Sequence, residues 1–275
     1  MAFATINSDF SYWQKQTKPL FEDLLWNIPE QKISTINVIG GNSQNFHSII
    51  RTAEFLSSHF PLRQVSIVLP SALQRTLPPL PNVNFVPSTD SGSFAKSDLL
   101  NLAFSSSNFS ILAGDLSKNS ATAIAFTTAI SKSLTDASDI KPLLITRDSV
   151  DLLAESSAKL FEHPNLFIVA SLAQIQKLFR ALYYPKMIML SQPLIPIIET
   201  LHKFTLTYDK VTLLTFHQDN IIVAHAGKIT TTNIIDTDFS PLSLWGGTLA
   251  ATVAALNLFN PQRPLEATTA AILYR

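Results

Sequence analysis

The stretch Ser243-Leu-Trp-Gly-Gly-Thr-Leu-Ala-Ala-Thr-Val-Ala-Ala-Leu256 holds two of the seven glycines of this chain, where a loop runs into an Ala/Val/Leu helix. Free backbone N–H groups and the positive end of a helix dipole converge at such a turn. Gly246, Gly247 and Thr248 are therefore the residue types of a pocket for a phosphate or a developing oxyanion. No acid, base or nucleophile stands beside them; the residue before the pair is Trp245. The ionisable residues placed for chemistry stand elsewhere, Asp115 after Ala113-Gly114 and Arg147-Asp148 after Leu143-Leu-Ile-Thr146, each at the end of an apolar run. If the chain is an enzyme, these three are the catalytic candidates. The plainer alternative is that Arg147 pairs with a neighbouring carboxylate and Asp148 caps a helix.

Other chemistries find less support. Gly40-Gly41 lacks a third spaced glycine, and Val68-Leu69-Pro70 stands where a ribose-binding acid would end the next strand. A Gly-Lys-Ser/Thr phosphate loop does not occur. The six histidines (47, 59, 163, 202, 217, 225) include no pair at i, i+4, so no metal site is expected, although His47 follows the Gly40-Gly41 turn closely enough to reach a ligand. Asp236 and Asp238 could hold Mg²⁺ against a phosphate, or form only a polar loop.

These residues need a scaffold, and the hydropathy pattern supplies one. Thr35-Ile-Asn-Val-Ile39 reads as a strand ending in Gly40-Gly41-Asn42-Ser43, with Ile49, Ala53, Leu56 and Phe60 following at helical spacing. The unit recurs with strands at 64–69, 109–113, 142–146 and 166–170, and helices running through Ile130, from Asp148 and through Leu182. A mostly parallel sheet with helices on both faces follows. Strands at 211–215, 220–224 and 228–232 are joined by short turns, one at Ala226-Gly227, and predict an antiparallel edge. Asn42, Ser43, Asn119 and Asp148 are the expected helix N-caps. Ligands of such sheets bind beyond the carboxyl ends of the strands, which here gathers Gly40, Gly41, Asn42, Gly114, Asp115, Asn119 and Thr146 into one substrate crevice.

Composition narrows the partners. With 20 basic and 20 acidic residues and only 15% charged in all, the chain has no basic stripe for nucleic acid or an anionic membrane. The absence of cysteine excludes thiolate chemistry. The polar start is unlike a signal peptide and the apolar runs fall short of a membrane span, so a cytoplasmic protein is expected. No linker or repeat divides the chain. One domain over residues 1–275 is expected, with residues 1–23 as an N-terminal extension.

The order and spacing of the turns resemble the ribokinase-like superfamily, and within it the ADP/ATP-dependent NAD(P)H-hydrate dehydratases, over about residues 24 to 275. Trp26-Asn-Ile-Pro-Glu-Gln-Lys32 with Ile36-Asn-Val-Ile-Gly-Gly41 resembles the family's entry into its first strand. Ala113-Gly-Asp-Leu-Ser-Lys-Asn-Ser120 resembles its Gly-Pro-Gly-Leu-Gly-Arg-Asn segment, and Pro142-Leu-Leu-Ile-Thr-Arg-Asp-Ser-Val150 its strand ending in Asp-Ala-Asp-Ala-Leu. The resemblance implies a three-layer ribokinase-like α/β fold, ADP or ATP with Mg²⁺ as cofactor, Gly246, Gly247, Thr248 and Trp245 as the cofactor-binding turn, and homo-oligomers. The departures fall on the chemistry. Thr146 stands for the first Asp, Ala170-Ser-Leu-Ala-Gln-Ile175 for the Thr-Pro-His-Pro-Gly-Glu segment, about Leu214-Thr-Phe216 for Leu-Lys-Gly, and Leu244-Trp-Gly-Gly247 for Gly-Thr-Gly-Asp, with Gly247 in place of the general base.

The expectation is therefore a dehydratase-like protein without catalysis that keeps a site for a nucleotide or a phosphorylated metabolite, with the Trp245 indole filling part of the crevice. A remodelled lyase or small-molecule kinase is the enzymatic alternative. A structural homo-oligomer, using Tyr183-Tyr-Pro-Lys-Met-Ile-Met-Leu190 as its interface, is the third.

Overall fold

The computed structural model describes residues 11–16, 24, 27–136, 140–234 and 246–274. Strands β2 (Thr35–Gly40), β3 (Gln64–Pro70), β4 (Val83–Val86), β5 (Phe109–Gly114), β6 (Leu143–Thr146), β7 (Leu166–Val169) and β8 (Val211–His217) run parallel in the order β4-β3-β2-β5-β6-β7-β8. Beyond β8 the sheet turns antiparallel through β9 (Asn220–His225) and β10 (Lys228–Asn233). Ala226 and Gly227, at φ 45° and φ 75°, make the tight turn between these two strands.

The strands are apolar on both faces, and the two-residue period sends alternate side chains to opposite layers. Leu112, Ile145, Ile168 and Leu213 pack against α2 (Asp98–Ser105), α3 (Ser120–Asp136), α4 (Asp148–Leu153), α5 (Ser157–Leu160), α6 (Leu172–Ala181) and α7 (Leu194–Thr207). Ile111, Leu144, Phe167 and Leu214 pack against α1 (His47–His59), α8 (Thr248–Phe259) and α9 (Pro264–Leu273). Every residue of α8 from Leu249 to Asn257 is buried, which explains a helix made of Ala, Val and Leu on all sides. The result is the expected three-layer α/β architecture.

Five elements go beyond the sequence expectation. Trp13–Gln16, placed by sequence in the N-terminal extension, forms β1 and pairs in parallel with β10, with Trp13 Nε1 donating to Thr231 Oγ1 at 2.9 Å. β4 is short and half-exposed, so it lacks the apolar run that marks its neighbours. α2 has only eight residues, while α7 and α9 open on or near proline, which is tolerated in a first turn although it reads as a helix breaker. Among the described residues no helix is long and apolar enough to cross a membrane.

The chain runs outward through β2, β3 and β4, then returns to lay β5 beside β2 and proceeds the other way through β6, β7 and β8. The strand order thus reverses between β2 and β5. That reversal opens a crevice at their carboxyl ends, Gly40 and Gly114.

Candidate functional site

The two strand ends touch through bare backbone. Gly41 N–H donates to Gly114 O at 2.9 Å, and a side chain on Gly40 would run into that same carbonyl. Gly114 turns at φ 96°, and Asp115 after it is held at φ 56°. For a residue with a Cβ that left-handed conformation costs about 1–2 kcal/mol. Asp115 is fastened on both sides of its backbone. Asn42 Nδ2 donates to its carbonyl at 2.6 Å, and Asp148 accepts its N–H at Oδ1, 2.8 Å, with the Leu116 N–H at Oδ2, 2.9 Å.

Three of the four expected caps do other work. Asp148 opens α4, but its carboxylate reaches across to the end of β5 and caps no N–H of its own helix, whose N-cap position is Arg147. Asn42 and Ser43 do not cap α1, which starts at His47 after Phe46 with no side-chain cap. Asn42 Oδ1 instead accepts the N–H groups of Gln44 and Asn45 in an Asx turn, and Ser43 N–H donates to Gly92 O. Asn119 does serve α3, accepting the Thr122 N–H at 2.7 Å. Burial raises the Asp148 carboxyl above its usual range, against the pull of the Leu116 N–H, the Arg147 charge and the Asp115 N–H.

The side chain of Asp115 closes a ring with two others. Arg147 Nη2 donates to Asp115 Oδ1 at 2.6 Å, Arg147 Nη1 donates to Ser48 Oγ, and Ser48 Oγ–H donates to Asp115 Oδ2. Arg147, like Asp115, sits at positive φ, with φ 57° and ψ -140°. A structure keeps such a conformation only when its surroundings hold it. The holder is Gln174, whose Nε2 donates to Arg147 O at 2.6 Å and to Asp151 Oδ2 at 2.9 Å, while its Oε1 accepts the Ser171 N–H in the capping box of α6. Thr146, buried at the end of β6, leads directly into this strained residue.

The glycine pair meets the cluster through α1. Gly247, at φ 84°, is the N-cap of α8, and a Cβ on it would overlap the Thr52 hydroxyl and come within 3.7 Å of the Ser48 carbonyl. One turn of α1 thus supplies both the hydroxyl of the ionic ring and the wall behind the α8 N-terminus. Gly246 is the opposite case, since among the described residues nothing lies within 4 Å of the place its Cβ would take. No acid stands in the first turn of α8, where Thr248 is half-buried. Trp245, Asp236 and Asp238 lie outside the described residues.

Sequence reasoning brought together Gly40, Gly41, Asn42, Gly114, Asp115, Arg147 and Asp148 but missed Ser48, Thr52 and Gln174. Gln174 was within reach, because Ser171-Leu-Ala-Gln174 has capping-box spacing. Ser48 was findable only as the second residue of the helix after the Gly40-Gly41 turn. His47 is exposed and stacks on Phe46, with ring centroids 4.4 Å apart, rather than turning toward Asp115. Among the described residues no three His, Asp or Glu side chains converge as metal ligands. The crevice carboxylates do not fit Mg²⁺ either: Asp115 is committed to a guanidinium and a hydroxyl, and Asp148 to two N–H groups.

The architecture is that of the ribokinase-like proteins. A ribokinase-like superfamily protein from Enterococcus faecalis superposes with a TM-score of 0.65 at 14% identity, over 96% of this chain and 87% of its own. The ADP/ATP-dependent NAD(P)H-hydrate dehydratase of Bacillus subtilis, co-crystallised with ATP and Mg²⁺, gives 0.58 at 11%, over 92% of this chain and 84% of its own. Bacillus subtilis pyridoxal kinase, in an ADP complex, gives 0.51 at 12%, over 87% of this chain and 89% of its own. No protein-family model and no curated protein sequence matches the chain.

Proposed function

We propose that this protein is a dehydratase-like member of the ribokinase-fold proteins that has lost catalysis and retains the crevice as a site for a nucleotide or a phosphorylated metabolite. The observation that carries the reading is Gly247. The resemblance puts the general base at this position, yet its φ of 84° disfavours any side chain and the Thr52 hydroxyl occupies the space a Cβ would need. Only glycine adopts such a backbone without steric cost. A side chain at this position is thus disfavoured by the backbone as well as absent from the sequence, and general bases typically contribute about 10²–10⁴ in rate. Binding is supported by what remains: an α8 N-terminus without an acid, and Arg147 after β6 with its guanidinium at Asp115 beside the switch point. Two of the solved neighbours were crystallised with ATP or ADP, the ligand class expected here.

The test pairs an activity with a binding measurement. Purified protein is offered NADH hydrate with ADP or ATP, and ADP binding is followed by equilibrium dialysis. Saturable binding without turnover is the expected result. Turnover that disappears in Asp115→Asn would replace this reading with a remodelled enzyme built on Asp115, Arg147 and Asp148, and absence of binding would remove the nucleotide.

A homo-oligomer is a compatible second reading, supported by a run of exposed apolar side chains. Tyr183, Met187, Met189 and Leu190 are all exposed, Tyr183 at 93%. Apolar groups clustered on a surface in this way commonly mark an interface. Light scattering across a dilution series should show a multimer; a monomer throughout would count against it.

A further inference from the structure

The guanidinium of Arg147 is turned toward groups of the protein itself, and the partner it holds is the side-chain carboxylate of Asp115. We infer that Asp115 is an intramolecular occupant of an anion subsite: its carboxylate takes the Arg147 donors that an incoming phosphate would use, and a phosphate binds by displacing it. The inference rests on reading the crevice as a phosphate site.

A guanidinium fork matches a carboxylate and a phosphate by the same geometry, so one can replace the other without rebuilding the donor. Asp115 Oδ1 lies 2.6 Å from Arg147 Nη2, and the two side chains are 12% and 20% exposed. The backbones on both sides are pinned. Asn42 and Asp148 hold the main chain of Asp115, and Gln174 holds the carbonyl of Arg147, so exchange needs only a rotation of the Asp115 side chain. Ser48 joins the exchange without a proton leaving the ring, because its hydroxyl can turn from the carboxylate to the phosphate while still accepting from Arg147. Asp148 stays in place, engaged by two backbone N–H groups.

The sign of a mutational effect tests this. Truncating a residue that lines a site ordinarily weakens binding, whereas neutralising an internal competitor strengthens it. Asp115→Asn suits the purpose, because asparagine tolerates a left-handed backbone such as the φ of 56° found here. Calorimetric titration with inorganic pyrophosphate and with ADP compares wild type, Asp115→Asn, Arg147→Gln and the double variant, with circular dichroism melts to establish folding. Asp115→Gly, equally suited to that φ, replaces the Asn variant if it fails to fold. Asp115→Asn is expected to bind pyrophosphate about tenfold tighter than wild type, Arg147→Gln at least about tenfold weaker, and the double variant to show no gain.

Equal or weaker pyrophosphate binding by Asp115→Asn, or a gain that survives in the double variant, overturns the inference. If wild type and Asp115→Asn bind ADP and pyrophosphate alike, the crevice remains a nucleotide site and the occupant falls. If Asp115→Asn gains pyrophosphate binding while no variant binds ADP, the occupant stands and the nucleotide falls. Binding of neither probe by any variant overturns both.

Discussion

Helices α6 and α8 both start at the carboxyl edge of the sheet, and they start in opposite ways. α6 is closed by a complete capping box, Ser171 and Gln174 each serving the other's backbone N–H, and the spare amide of Gln174 reaches on to Arg147 and Asp151. α8 begins at a glycine with no side chain to offer and no acid in its first turn. The α6 start is satisfied by its own side chains. The α8 start has no side-chain cap from Gly247, which lies against Thr52 of the helix that carries Ser48. The ligand site proposed above uses the α8 start rather than the α6 start.

The comparison breaks if the bare start of α8 is an accident that a side chain could fill. Gly247→Asp restores the acid that the resemblance assigns to this position, and it is expected to destabilise by about 3 kcal/mol or more, from a left-handed φ and overlap with Thr52. In a domain of this size that is a fall in Tm of about 6–12 °C by differential scanning calorimetry. Adding Thr52→Ala should recover part of the loss, since it removes the overlap and leaves the φ. An unchanged Tm would mean that the glycine is not structurally required.

A second effect separates the crevice from the opposite end of the sheet. His163, 2% exposed, packs near the amino ends of β6 and β7 and is pushed down to about 4 by burial, against its backbone hydrogen bond at Lys141, while its Nδ1 accepts the Asn165 N–H. Because the native state disfavours the imidazolium, the unfolded chain takes up the proton first, near the ordinary value of 6.5. The stabilisation is complete above pH 6.5 and is lost as pH falls toward about 4, a loss of about 3 kcal/mol. His163→Gln should flatten chemical denaturation midpoints between pH 6.5 and about 4. If it does not, the acid sensitivity arises at a group other than His163.

The α6 side is sharpened by dividing Gln174 from Ser171. Ser171→Ala removes one cap and should cost about 1 kcal/mol. Gln174→Ala removes the cap and also the hydrogen bonds to Arg147 and Asp151, so about 2–3 kcal/mol is expected, together with weaker pyrophosphate binding because Arg147 loses its holder. Equal costs for the two variants would reduce Gln174 to an ordinary cap.

How far these features were legible depends on the range of the contacts that make them. The parallel strands follow from apolar runs such as Phe109–Ala113, and the crevice from glycines at their ends, because both are local signals. The ring of Ser48, Asp115 and Arg147 joins residues 32 to 99 positions apart, which no spacing rule connects. Asp148 shows the limit most clearly. An aspartate at a helix start reads as a cap, and only the neighbouring strand reveals that its carboxylate serves Asp115 and Leu116 instead. α7 and α9 were hidden by Pro193, Pro196 and Pro264, whose helix-compatible first-turn positions look the same in sequence as chain breaks.

The smallest expected effect concerns Gly246, one residue from the largest. Its φ lies outside the left-handed range and no atom of the described residues stands within 4 Å of a Cβ built on it, so nothing among the described residues requires a glycine there. Gly246→Ala should shift stability by no more than about 0.5 kcal/mol, and loss of glycine's freedom in the unfolded chain favours the folded state slightly. If the open space beside Gly246 belongs only to solvent, Gly246→Val will be equally silent in every assay. If a ligand's phosphate comes against this backbone, the added side chain occupies its approach to the α8 N–H groups, and binding falls while the melting curve stays put. Calorimetric titration of Gly246→Val with ADP, beside its melt, makes the distinction. Lost binding with an unchanged Tm assigns Gly246 to the ligand and Gly247 to the fold, whereas unchanged binding moves the ligand away from the start of α8.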